Sequence, residues 1–213
     1  MNRLIAGAIA AIASVATLAA VGFGAGSASR GERSGCDPKR SRTVIETDDA
    51  RVFTRRVRGT PRMYGCWFDH GRPYLLGSRG VDEFEDWRAR LAGRYVAYVW
   101  YSRTAPYELR VFDIRRGKRV RVAVHYPAEE DFEIGSFVVN DRGSVAWIVL
   151  NRQRDKTGTF SVHRQDSNGL AKLDEGDISP GSLAIADDWF LRGSTIYWRW
   201  FGGDGGARAA DLD

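Results

Sequence analysis

The residues of this chain best suited to chemistry are acids, and they recur. Asp82, Glu83, Glu85 and Asp86 form one run, Glu129, Glu130, Asp131 and Glu133 a second, and Asp174, Glu175 and Asp177 a third. The runs begin 47 and 45 residues apart. Acids returning at such a spacing should emerge at one end of a repeating domain, as an acidic rim that attracts a cation or a basic partner. Ca²⁺ is the ion that takes several oxygen ligands, but no run has the spacing of an EF-hand loop. Loops between repeats also carry charge for solubility alone. The expectation is therefore no resident cofactor or metal, with Ca²⁺ as the one ion the rim chemistry would admit. Paired carboxylates can also hydrolyse a glycosidic bond, yet nothing in the sequence selects a pair.

Other chemistries find less support. His70, His125 and His163 are far apart and lack the close spacing of a Zn²⁺ site. The chain has no Gly-x-Ser-x-Gly elbow. Gly202 to Gly206 lacks the Lys-Ser/Thr ending of a phosphate loop and reads as a hairpin. Cys36 and Cys66 are the only cysteines. In an oxidising compartment an even count reads as a disulfide, and the separation is too long for a Cys-x-x-Cys redox pair.

The elements that must position the acids are strands. Four stretches share a polar turn followed by a short apolar strand, and measured at Val52, Val96, Val145 and Trp189 they lie 44, 49 and 44 residues apart. Each stretch continues into a second strand (Met63 to Phe68, Leu109 to Phe112, Phe160 to His163, Thr195 to Trp200). An Asp/Gly turn then leads to a third (Tyr74 to Leu76, Val120 to Val124, Leu170 to Leu173, Ala207 to Leu212). One more β-type segment precedes each polar turn: Thr43 to Ile45, Trp87 to Leu91, Ser136 to Val139 and Ser182 to Ile185. The fold class is thus all-β, with about four blades of four-stranded antiparallel meanders in a β-propeller-like array. A single such sheet cannot bury both faces, whereas stacked copies can. A closed four-bladed ring is the first expectation; an open array that dimerises and a β-sandwich are the alternatives.

Leu91 to Tyr98 followed by Leu109 to Lys118 resembles a blade of the TolB-like and WD-type β-propellers, in which the second strand ends in Asp before a Gly turn. Asn140 to Trp147 is similar to their strand entry. The full signature and the Trp-Asp pair are missing, so the resemblance implies architecture over Thr43 to Asp213 and no activity.

The amino terminus predicts export. Arg3 precedes an uncharged run from Leu4 to Val21, and small residues follow through Ala28, the order of a signal peptide. Residues 1–28 are read as that leader, 29–42 as a flexible linker pinned at Cys36, and 43–213 as the repeat domain. An uncleaved leader would be the only membrane attachment. The net charge is +5, and 28 of 32 basic residues are Arg, scattered among 27 acids. No basic stripe or nucleic-acid module is present, so nucleic acid is not an expected partner. The expected function is a binding or protein-interaction module, secreted or held in the cell envelope, whose partner is an envelope or extracellular protein or glycan. The alternative is a secreted carbohydrate-active hydrolase or lyase using acids at one end of the propeller.

Overall fold

Val145 to Leu150 is apolar at every position, the pattern of a strand covered on both faces, and all six side chains are buried. The computed structural model describes residues 35–78, 88–102, 105–122, 132–152, 158–178, 189–199 and 207–213. The first sheet holds β1 (Ser41–Glu46), β2 (Ala50–Val57), β3 (Thr60–Trp67) and β4 (Arg72–Ser78). The second holds β5 (Ala89–Ala92), β6 (Tyr95–Ser102), β7 (Ala105–Asp113) and β8 (Lys118–Val122). The third holds β9 (Phe132–Val139), β10 (Val145–Arg152), β11 (Gly158–Asp166) and β12 (Gly169–Ile178). The fourth holds β13 (Phe190–Arg192), β14 (Thr195–Arg199) and β15 (Ala207–Asp211). In each sheet consecutive strands pair antiparallel, as the repeat predicts. The strand expected at Ser182 to Ile185 lies outside the described residues.

The sheets cover one another in chain order. Val52, Met63 and Leu76 of the first sheet meet Val96, Tyr98 and Ile114 of the second. Leu109 and Val111 meet Phe137, Val145 and Trp147 across the next interface. Ile148, Leu150 and Val162 then meet Ile196, Trp198 and Leu212. Residues of both parities are apolar in the central strands of the second and third sheets because each of these has a neighbour on both sides. Buried side chains of this size contribute roughly 1.5–3 kcal/mol apiece.

A fourth cluster lies on the far face of the first sheet, where Cys36, Phe53, Cys66 and Phe68 are buried together. Here Cys36 and Cys66 form the expected disulfide. Arg51 ties the same segment down, donating to the Cys36 carbonyl at 3.1 Å and pairing with Asp37. β1 consequently begins at Ser41, inside the stretch read as a linker. Among the described residues no apolar cluster joins the fourth sheet to the first. Four successive sheets are thus each packed on the next, and closure into a ring is not shown among the described residues.

The strand-ending Asp of the blade pattern is a turn anchor. Asp113 is buried and accepts from the Arg115 and Arg116 backbone N–H groups at 3.1 and 3.0 Å. Asp166, equally buried, accepts from Asn168 N–H at 2.8 Å. Arg94 and Arg164 neutralise them, each at 3.3 Å.

Candidate functional site

Alternation along β11 sends Thr159, Ser161 and His163 to one face of the third sheet. Their partners on β10 are Asn151, Val149 and Trp147. On β12 they are Asp177, Glu175 and Lys172, with a register shift between Val162 and His163. The inner part of this face is core against the second sheet. Its outer part is a polar cleft of about 410 Å³, bounded on the apolar side by Phe132 and Val149.

Within the cleft His163 stacks on Trp147, with ring centroids 5.4 Å apart and planes 13° from parallel. Its Nε2 shares a hydrogen bond of 2.7 Å with Ser161 Oγ. Burial lowers the His163 pKa below its ordinary 6.5, and the Lys172 cation adds to that against the opposing pull of Glu175. The imidazole is therefore neutral at neutral pH. Lys172 Nζ is 2.5 Å from Glu175 Oε2, and Asp177 is exposed with no ion-pair partner among the described residues. One cation against two carboxylates leaves the cleft net negative.

The corresponding place in the second sheet is closed. Arg110 and His163 each stand three residues before the anchoring Asp, and Glu108 and Ser161 five before. Tyr98 pairs with Arg110 as Trp147 pairs with His163, and Trp100 with Glu108 as Val149 with Ser161. In the second sheet the Arg110 guanidinium lies 4.0 Å from the Trp100 ring centroid and 2.6 Å from Glu108 Oε2. That stack fills the mouth facing the first sheet, close against Gly77. The mouth between the third and fourth sheets is closed as well: Trp198 Nε1 donates to Asp174 at 2.9 Å, and Arg208 pairs with the same carboxylate. Smaller residues, Val149 and Ser161, stand where Trp100 and Glu108 would seal the remaining mouth.

Four of the predicted rim residues fall among the described ones. Asp82, Glu83, Glu85, Asp86, Glu129, Glu130 and Asp131 lie outside the described residues. Glu133 is in β9, 4.0 Å from Arg88. Asp174, Glu175 and Asp177 were expected in a loop, but β12 extends for ten residues and carries them as strand. Alternation then puts Asp174 on the face toward the fourth sheet, while Glu175 and Asp177 line the cleft. The row Glu133, Leu150, Phe160, Gly176 across the sheet places all four of these acids near one end of it. Among the described residues no group of three His, Cys, Asp or Glu side chains is disposed to hold a metal ion. Sequence reasoning took His163 for an ordinary strand residue and passed over Ser161, Asn151, Thr159 and Lys172. Aligning the repeats on Asp113 and Asp166 would have shown the Glu-x-Arg to Ser-x-His exchange.

No family profile and no curated protein matches the chain. Solved structures similar to it include an uncharacterized protein from Listeria monocytogenes (11% identity, TM-score 0.47, 83% of this chain and 52% of that one). Another is TolB from Acinetobacter baumannii (14% identity, TM-score 0.39, 79% and 43%). A prolyl endopeptidase also matches (13% identity, TM-score 0.42, 82% and 28%). The chain thus spans about half, or less, of the length of these proteins. Likenesses this remote carry no argument about activity.

Proposed function

We propose that this chain is a propeller-like binding module of the cell envelope, and that its cleft on β10–β12 receives a neutral, hydroxyl-rich saccharide. One observation carries the reading: Val149 and Ser161 leave open the mouth that Trp100, Arg110 and Glu108 close one sheet earlier. Sugar hydroxyls both donate and accept, and Asn151, Thr159 and Ser161 do the same. Phe132 and Val149 bound the cleft on its apolar side. The net negative lining turns away anionic chains and, with no basic stripe, nucleic acid. The leader expected in residues 1–28 and the Cys36–Cys66 disulfide support an extracytoplasmic setting. The reading uses no Ca²⁺ or other cofactor.

The test is calorimetry of the exported protein with neutral envelope oligosaccharides. Binding is expected, and the double substitution Ser161→Glu with His163→Arg, which rebuilds the closed pair of the second sheet, should abolish it. Undiminished binding by that variant would remove the cleft from the account. A second reading, hydrolysis in the same cleft, draws on the Ser161–His163 hydrogen bond beside Glu175 and Asp177. Shortened saccharide products that disappear with Asp177→Asn or Glu175→Gln would select it.

A further inference from the structure

The three interior interfaces bury apolar rows from both partners. At each end of the stack a similar row is covered only in part: on the first sheet Phe53 is buried and Tyr64 half-buried, but Leu75 is exposed. On the far face of the first sheet Phe53, Tyr64 and Leu75 pair across β2, β3 and β4. Phe53 and Tyr64 stack with centroids 5.5 Å apart, and Leu75 is 49% exposed. On the far face of the fourth sheet Phe190 and Tyr197 pair and stack at 5.0 Å, and Phe190 is 55% exposed. Of the four exposed large apolar residues among the described ones, Leu75 and Phe190 thus fall one on each end face. Scattered apolar side chains at a surface need no explanation, but paired rows on sheet faces mark an interface.

We infer that the fourth-sheet end face of one copy docks on the first-sheet end face of a second copy, head to tail. The sense of packing is that of the interior interfaces, where each sheet lays its far face on the next sheet in order. Polar groups on the two faces complement one another. Arg55 and Arg62 stand side by side on the first face, with the Arg55 guanidinium 5.6 Å from the Tyr64 ring centroid. Arg62 Nε is buried there without a hydrogen-bond partner. The fourth face offers the exposed Asp211 carboxylate and the Phe190–Tyr197 rings, surfaces that Arg side chains favour. The amino-terminal segment covers the Cys36–Cys66 end of the first face and leaves Leu75 exposed. A head-to-tail contact leaves one face of each kind unsatisfied unless it closes. Two copies of four sheets close both contacts in a ring of eight, within the four to eight blades that propellers adopt.

The test is the mass of the exported, disulfide-intact protein by light scattering, across a wide concentration range. Two chains are expected. Phe190→Glu and Leu75→Glu, both at exposed positions and checked for native circular dichroism, should each lower the mass to one chain. Mixing the two variants should restore a dimer, because each retains the face that the other lacks. A wild-type mass of one chain at every concentration would overturn the inference. So would a dimer that neither substitution weakens, or two variants that are monomeric alone and fail to pair when mixed. None of these outcomes depends on saccharide binding.

Discussion

The second and third sheets are built on one plan and part at a few positions. Both end their third strand in a buried Asp that caps the following turn and is neutralised by an Arg. Both place an aromatic side chain at the same depth, Tyr98 in one and Trp147 in the other. Tyr98 donates to the Leu76 carbonyl at 2.8 Å and so binds the second sheet to the first. Beyond that point Trp100, Arg110 and Glu108 form a closed stack, whereas Val149, His163 and Ser161 border an open cleft. The difference teaches how a repeat can hold its anchors constant while its outer edge varies. The exchange of two large side chains for small ones opens a cleft.

The shared anchors give the sharpest test of equivalence. Asp113→Ala and Asp166→Ala should each destabilise the fold by about 3 kcal/mol, since each removes a buried carboxylate that accepts the turn's N–H groups. Denaturant unfolding that found one severe and the other neutral would break the equivalence of the two sheets. Next in size, Trp100→Val should cost about 2–3 kcal/mol, below the usual loss for a fully buried Trp because Trp100 is half-buried. It should also open a second cleft facing the first sheet, detectable by crystallography; a collapsed mouth would show that small side chains alone do not make a site. The smallest effect is on pH dependence. With its folded pKa lowered, His163 and its unfolded counterpart are both neutral above 6.5. As pH falls through that value the unfolded chain takes up the proton first, so stability declines. His163→Gln should flatten the slope of melting temperature below pH 6.5, and an unchanged slope would assign the loss to other groups.

Much of the architecture was legible because its signals are local. Apolar strands at Val52, Val96, Val145 and Trp189, each entered by a polar turn, mark the repeat, and Asp113 before Gly117 marks its hairpin. The cleft was not, because it arises from register. Only cross-strand pairing brings Ser161 to Glu175 and His163 to Lys172, and the shift after Val162 that sets those pairs has no sequence mark. The acids were visible as types but not as strand residues, since a run of polar residues carries no sign that β12 continues through it. Counting repeats likewise does not reveal that Cys36 and Arg51 fold a preceding segment onto the outer face of the first sheet.

The most direct measurement is a saccharide titration followed by NMR on the wild-type protein and on Ser161→Glu/His163→Arg. The account predicts shifts at Asn151, Ser161, His163 and Asp177 in the wild type, and none in the variant, whose melting temperature should stay within a few degrees. Shifts that persist in the variant, or that gather elsewhere on the molecule, would contradict it.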